Sequence, residues 1–164
     1  MEKNNTLFDK TRSDLTSKGF DIVGENLDKP WGAYFLIDEK QTGKFIKEFF
    51  SHIELPPFDP KLKLSPKILI VAPEKRLSWQ YHHRRREIWT ILKGPVEIVT
   101  NKTNELITGK EYNANDFINI ALGERHRLAG LNNWGVVAEI WMHTDPKNPS
   151  NEEDIVRVQD DFNR

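Results

Sequence analysis

The sequence predicts a single all-β domain, of the barrel, sandwich or jelly-roll kind, with one helix added to it. A chain of 164 residues suits one domain with a full hydrophobic core. From residue 67 onward, short runs rich in β-branched and aromatic residues alternate with turns that contain Gly, Pro or Asn, which is typical of many short strands. These runs predict strands at 68–71, 87–92, 96–100, 105–107, 117–120 and 136–142.

The first third of the chain is organised differently. Residues 1–28 are polar with scattered apolar positions, and they predict an arm or short helix that packs on the barrel. After a turn that contains Pro and Gly, residues 33–37 predict a strand. Apolar side chains then recur at helical spacing over 42–55 until Pro56-Pro57, which predicts an amphipathic packing helix. We therefore expect an arm at 1–28 and a single domain at 29–164, with an insertion at 41–66 that carries the helix.

The composition narrows the classes of partner and chemistry. The formal net charge is −1 with no pole of one sign, which argues against nucleic-acid binding. The chain has no cysteine, which excludes disulfides, thiolate metal sites and a cysteine nucleophile. The polar start lacks the apolar core of a signal peptide, and no apolar run reaches membrane-spanning length. We expect a cytoplasmic protein with neither a nucleic-acid nor a membrane partner.

Four side chains around residues 80–126 can bind a divalent metal. Gln80 and His82 are two residues apart, so in a strand they share a face. We expect a tight connection at 84–86, with Glu87 opening the next strand, and His126 arriving from a distant segment. If these strands line one barrel, the four side chains meet inside it.

This ligand set admits several metals. Two imidazoles, a carboxylate and an amide oxygen suit zinc, manganese, iron, cobalt or nickel. We expect one divalent ion, with zinc as the first choice. The alternative for residues 82–86, which read His-His-Arg-Arg-Arg, is a solvated turn or a basic patch without a metal.

The spacing also resembles a known family pattern. His82, four residues, Glu87, six residues and Gly94 match the latter half of the first cupin motif. Gly123, two residues and His126 match the core of the second cupin motif. Such an ordered pair is more specific than any single histidine.

A longer string narrows the resemblance. Residues 77–89 read Leu-Ser-Trp-Gln-Tyr-His-His-Arg-Arg-Arg-Glu-Ile-Trp, which resembles the Leu-Ser-x-Gln-x-His-His-x-Arg-x-Glu-His-Trp signature of cupin-type (type II) mannose-6-phosphate isomerases. Segments 29–34, 123–128 and 152–164 resemble the opening, internal and terminal motifs of the same family, in order. The resemblance implies a cupin fold, that is, a double-stranded β-helix or jelly-roll barrel. It also implies a stand-alone cupin domain, without guanylyltransfer.

Two departures from the family pattern bear on the site. Gln80 stands where the first cupin motif usually has a histidine, and Ile88 stands where the family has the histidine of Glu-His-Trp. By strand alternation Ile88 points away from Glu87. We therefore expect the metal site to be kept, while the identity of the sugar stays open.

The resemblance implies a metal-dependent aldose–ketose isomerase that acts on a phosphosugar, with mannose 6-phosphate and fructose 6-phosphate first, through a cis-enediol. It implies catalytic roles for Lys67 and Arg85, and phosphate binding by Arg85, Arg157 and Lys29. Arginine suits phosphate because its planar fork donates paired charge-assisted bonds. The structural alternative for each arginine is an ordinary salt bridge.

Three other functions fit the same residues. The substrate could be a pentose or heptose phosphate. The chain could be a non-catalytic sugar-binding cupin that keeps its metal. Two histidines and one carboxylate are also the ligand set of non-haem iron oxygenases. For assembly, we expect a homodimer, because cupins often exchange N-terminal strands.

Overall fold

The computed structural model describes residues 2–164, and their strands form two facing antiparallel sheets. The strands, in chain order, are β1 (Ile22–Lys29), β2 (Gly32–Ile37), β3 (Leu64–Val71), β4 (Trp79–Tyr81), β5 (Arg85–Lys93), β6 (Val96–Asn101), β7 (Lys110–Tyr112), β8 (Phe117–Ile120), β9 (Arg125–Gly130), β10 (Gly135–His143) and β11 (Val156–Gln159). One sheet has the order β1-β2-β3-β10-β5-β8 and the other β11-β4-β9-β6-β7. The helices are α1 (Glu2–Ser17) and α2 (Thr42–Phe49), with 3-10 turns at Glu39–Gln41 and Glu152–Asp154.

The six-stranded sheet is covered on both faces, and this divides the core in two. In β3, Ile68 and Ile70 face the helices, whereas Leu69 and Val71 face the second sheet, as strand alternation requires. All nine residues of β10 are buried for the same reason. Toward one end of the barrel the inner face changes from apolar to polar, and the candidate site lies there.

Most predicted strands are confirmed. The predicted strands at 33–37, 68–71, 87–92, 117–120 and 136–142 fall within β2, β3, β5, β8 and β10, and that at 96–100 within β6. The predicted strand at 105–107 is wrong, because Leu106 and Ile107 are exposed and the strand β7 begins later, at Lys110.

The predicted helix at 42–55 is too long. It ends at Phe49, because Phe50 leaves helical geometry, with φ at −125°, and buries its ring beside Phe45. The expected tight connection at 84–86 is also wrong. Strand β5 begins at Arg85, which pairs with His143 of β10, so the strand opens two residues before Glu87.

The N-terminal segment contains more structure than an arm. Helix α1 packs through Phe8 and Leu15 against the outer face of the six-stranded sheet. Residues 22–28 lie in β1, which pairs with β2 at the edge of that sheet, and Met1 lies outside the described residues. Within residues 2–164, no helix combines the length and apolar character needed to cross a membrane.

Gly32, the first residue of β2, gives a first prediction. Its φ is +147°, and a Cβ at this position would lie 1.9 Å from the Ile70 carbonyl oxygen. Gly32→Ala should therefore lower the free energy of unfolding by at least about 1–3 kcal/mol, measured by urea denaturation. The matched control is Gly43→Ala in α2, where a Cβ meets nothing within 4 Å. We expect the control to be neutral or stabilised by up to about 1 kcal/mol. Equal effects of the two substitutions would contradict this.

Candidate metal centre

Three buried side chains converge at the polar end of the barrel. His82 follows β4, Glu87 lies in β5, and His126 lies in β9, where it pairs in register with Gln80. The Nε2 atoms of His82 and His126 are 3.2 Å apart. Glu87 places Oε1 3.1 Å from Nε2 of His82 and Oε2 3.4 Å from Nε2 of His126. Three of the four side chains that were predicted as ligands are thus brought together.

Backbone carbonyls orient both imidazoles. The Nδ1 of His82 lies 3.1 Å from the Asp154 carbonyl oxygen, and the Nδ1 of His126 lies 2.9 Å from the Glu124 carbonyl oxygen. We assign the proton to Nδ1 in both rings, because a carbonyl can only accept. Each Nε2 then presents a lone pair toward the other and toward the Glu87 carboxylate. Such a set of facing lone pairs is a place for a cation.

The spacing of the three side chains fits a transition metal. Two ligand atoms that each lie about 2.1 Å from one ion are about 3.0 Å apart at a right angle and about 3.4 Å apart at a tetrahedral angle. The three separations at this site, 3.1, 3.2 and 3.4 Å, fall in that interval. The donor set excludes no metal among those considered.

Gln80, the fourth predicted ligand, lines a cavity beside the metal centre, together with His126. Its Oε1 accepts a hydrogen bond from Ser78 Oγ, so its side chain is held at the cavity wall. His83 lies on the side away from the candidate ligands, and the centre of its ring is 5.3 Å from that of Tyr81.

The electrostatics of the centre hold Glu87 and His126 in the protonation states that bind a cation. Burial alone would raise the pKa of Glu87, but His126, Arg85 and His82 outweigh it and hold that pKa well below its usual range. Burial lowers the pKa of His126 to about 4, so the ring is neutral at neutral pH. An ionised carboxylate and neutral imidazoles are the protonation states that bind metal.

Arg85 is directed at the centre. Its Nε donates to Glu87 Oε1 at 2.8 Å, and an Nη lies 3.2 Å from His82 Nε2. The other Nη donates to Ser150 Oγ at 2.9 Å, and the guanidinium stacks 3.5 Å above the Trp141 ring. The protein therefore holds the guanidinium through its Nε, one Nη and one face.

Asp154 ties the segment before β11 to the ligands. Its carboxylate accepts hydrogen bonds from the backbone N–H groups of His83 and Arg84 at 3.0 Å, and from Ser150 Oγ at 2.6 Å. Because its carbonyl also receives His82 Nδ1, one residue fixes both the loop before β5 and the ring orientation of a ligand.

Glu139 is a site residue that the sequence reasoning missed. It lies on β10, and the Trp89 indole N–H reaches both Glu87 Oε2, at 3.0 Å, and Glu139 Oε1, at 3.1 Å. Burial, reinforced by the charge of Glu87, raises the pKa of Glu139 to about 8. The signal was present, since Glu139 is the one charged residue in the apolar run 136–142.

The cavity beside the centre carries an excess of positive charge. Its volume is about 70 Å³. Two carboxylates, Glu139 and Glu152, line it together with six cationic side chains, those of Lys29, Lys67, Arg85, Arg127, Arg157 and Arg164. Such a lining attracts anions. All the residues that we predicted for catalysis and phosphate binding therefore contact one cavity, although Arg157 is exposed and Lys29 is half-buried.

The Glu139 carboxyl should make the metal-free chain less stable as the pH rises. Because its folded pKa of about 8 lies above the ordinary 4.5, its contribution is fully present below about pH 4.5 and is lost as the pH rises through about 8. The free energy of unfolding of Glu139→Gln should therefore rise relative to that of the wild type by up to about 1.4 kcal/mol per pH unit in this window.

Urea unfolding of both metal-free proteins, at about pH 5 and about pH 9, measures this gain. His126 acts with the opposite sign, since its lowered pKa costs stability as the pH falls from about 6.5 to about 4. That dependence is common to both proteins and largely cancels in the difference. A difference in the free energy of unfolding that is the same at both pH values would contradict the expectation.

Comparison with known proteins identifies the family of the chain. Residues 58–160 match the family described as Mannose-6-phosphate isomerase C-terminal. The Xanthan biosynthesis protein XanB of Xanthomonas campestris pv. campestris is 29% identical over 136 residues, which are 83% of this chain and 23% of that protein. Mannose-1-phosphate guanylyltransferase 2 of Escherichia coli O157:H7 is 25% identical over 134 residues, which are 82% of this chain and 22% of that protein. The chain spans less than a quarter of the length of these curated relatives.

Solved structures agree on the fold. CapF, solved with the inhibitor 3-isopropenyl-tropolone, is similar with a TM-score of 0.54 and 17% identity, over 83% of this chain and 34% of that one. At this identity the likeness concerns the fold alone. The predicted all-β cupin fold is confirmed. Because the family match covers more than half of its length, the chain belongs to the Mannose-6-phosphate isomerase C-terminal family.

Proposed function

We propose that the chain is a metal-dependent aldose–ketose isomerase of a phosphosugar, with mannose 6-phosphate and fructose 6-phosphate as the first pair. One observation carries the proposal above all. A buried His82, Glu87 and His126 cluster lies next to a second carboxyl, Glu139, at the wall of a cation-rich cavity. Isomerisation of an open-chain phosphosugar needs these three components, namely a cation centre, a proton-transfer group and an anion-binding wall.

His82, Glu87 and His126 would hold the divalent ion, with Gln80 as the candidate fourth ligand. When bound, the ion polarises the carbonyl and hydroxyl oxygens on the first two carbons of the sugar. Arg85 acts as a positioning residue in this proposal, because its Nε donates to Glu87 and one Nη donates to Ser150.

Glu139 is the group we assign to proton transfer, in place of Lys67. The charge of Glu87 is the strongest cause, after burial, of the raised pKa of Glu139. A cation on Glu87 would relieve that repulsion, so that an Oε of Glu139 can take the proton from C2 and deliver a proton to C1, while the hydroxyl proton passes from O2 to O1. Lys67 lies opposite Glu139 in register and lowers the pKa of Glu139, which supports this role.

The non-haem iron oxygenase is the second candidate, because two histidines and one carboxylate are its usual ligands. Glu139 and the cationic wall favour the isomerase, since oxygen activation requires neither. Oxygen consumption after addition of iron(II) and substrate separates the two. We further propose a cytoplasmic homodimer, whose assembly light scattering would measure.

Turnover tests the proposed function. The full chain, loaded separately with zinc, manganese, iron, cobalt or nickel, should convert mannose 6-phosphate to fructose 6-phosphate, followed by NMR. Hexose, pentose and heptose phosphates are compared in parallel, and EDTA-treated protein is the control. Turnover of a pentose or heptose phosphate alone would reject the mannose assignment. Binding without turnover of any of them would identify a sugar-binding cupin instead.

A further inference from the structure

Lys67 carries an ammonium group that the described residues leave weakly paired. The residue is buried, and its Nζ lies 4.4 Å from the ring centre of Trp141 and 4.9 Å from that of Tyr34. Its ion-pair partner is Glu152, with Nζ and Oε1 3.7 Å apart, beyond hydrogen-bond distance. No hydrogen bond from this ammonium is found between residues 2 and 164.

A second cation shares the same aromatic ring. Lys29 Nζ lies 5.8 Å from the ring centre of Tyr34, and both lysines line the cavity beside the metal centre. Burial raises the pKa of Tyr34, and the charge of Glu152 raises it further, which puts the Glu152 carboxylate within electrostatic reach of this ring. Two ammonium groups beside one tyrosine attract anions to this part of the cavity.

Glu152 also lines two cavities. The inner one, of about 70 Å³, is smaller than the roughly 300–1,000 Å³ of a typical small-molecule pocket. A phosphosugar needs more. A second cavity, of about 440 Å³, shares Lys67, Trp141 and Glu152 with the inner one. The Lys67–Glu152 pair therefore stands where the two volumes meet.

The pair is easy to break without disturbing the metal centre. The Glu152 side chain is 69% exposed, and ion pairs with such an exposed partner contribute little. The 3-10 turn Glu152–Asp154 is anchored by Asp154 to the backbone of His83 and Arg84. The Glu152 side chain can thus rotate into solvent while its backbone stays in place.

We propose that the Glu152 carboxylate occupies the seat of the substrate's phosphate at Lys67 and Lys29, and that phosphate displaces it and joins the two cavities. Glu152 then competes with the ligand from within the protein. A dianionic ligand gains enough from the two lysines to displace the carboxylate, whereas a neutral sugar does not, so the site favours dianionic ligands. This inference rests on the proposed function for the identity of the ligand, but anion binding can be measured without turnover.

The experiment is a titration of the full metal-free chain with inorganic phosphate, by calorimetry or by ³¹P NMR. Glu152→Gln should bind phosphate about three- to tenfold more tightly than the wild type, because the competing charge is gone. The matched control is Glu153→Gln, an exposed carboxylate of the same turn that lines neither cavity. It should change the affinity by less than about twofold.

A double-mutant cycle tests whether the effect acts through the lysine. In a Lys67→Gln background, Glu152→Gln should give no gain in phosphate affinity. Equal gains from Glu152→Gln and Glu153→Gln, a gain that persists without Lys67, or weaker binding by Glu152→Gln would each overturn the inference. If phosphate binds as expected but no phosphosugar turns over, the proposed function fails and the anion seat stands.

Discussion

Glu139→Gln should reduce the turnover of the metal-loaded chain by about 10²–10⁴-fold, which is the usual contribution of a positioned acid–base group. The amide can still accept from the Trp89 indole and lie beside Glu87, so the fold and the metal centre should be kept. It cannot take a proton from carbon. We therefore expect unchanged metal content and unchanged phosphate affinity together with lost turnover.

Two further variants sharpen this expectation. Glu139→Asp keeps a carboxyl and should retain more activity than Glu139→Gln. Glu97→Gln, on β6 and away from the cavity lining, should leave turnover within about twofold. If Glu139→Gln keeps activity within about fivefold of the wild type, the base lies elsewhere, and Lys67 becomes the next residue to test.

Loss of one imidazole should empty the metal centre. His126→Gln removes a lone pair that Glu87 and His82 cannot replace, so metal content after dialysis should fall from one ion per chain to well below one. His126 is neutral at neutral pH, because burial lowers its pKa to about 4, so the substitution changes no charge. Ion binding at a thousandfold excess over Kd stabilises the folded chain by about 4 kcal/mol, and the variant should lose this gain.

His52→Gln is the matched control for that experiment. His52 bonds to the Asn115 carbonyl oxygen and lies near Thr90, away from the ligands. Metal content and metal-dependent stabilisation should be unchanged in it, by elemental analysis and by urea unfolding with and without metal. Equal metal contents in His126→Gln and the wild type would remove the metal centre from this site.

Sequence reasoning singled out the three clustered candidate ligands because their environment leaves a pattern. Turns divide the segments that carry His82, Glu87 and His126, and strand alternation separates inward from outward side chains, as with Ile88, which lies in the opposite core. The motif spacing then linked segments far apart in the chain. Strand alternation is local information, and the motif spacing is carried by the family resemblance. The folded structure agrees with both.

The residues that were missed depend on contacts that sequence does not display. Strand β10 is buried on both faces, so Glu139 interrupts no alternation and stands out only as a charge in an apolar run. The phosphate-binding role of Arg85 stays a prediction, and its contact with Glu87 was not foreseen because β5 begins earlier than expected. Strand β1 was not predicted, because it lies at a sheet edge and its half-buried pattern is largely polar.

Solvent exchange at the sugar carbon tests most directly whether this centre moves a proton. The metal-loaded chain is incubated in D₂O with mannose 6-phosphate, and deuterium at C1 of fructose 6-phosphate and at C2 of mannose 6-phosphate is followed by NMR, beside EDTA-treated chain and Glu139→Gln. We expect metal-dependent formation of fructose 6-phosphate with deuterium at C1 and, as the reaction reverses, at C2 of mannose 6-phosphate, and neither product nor label in the two controls. Tight binding of the phosphosugar with neither fructose 6-phosphate nor deuterium in the sugar, whichever metal is loaded, would contradict an isomerase.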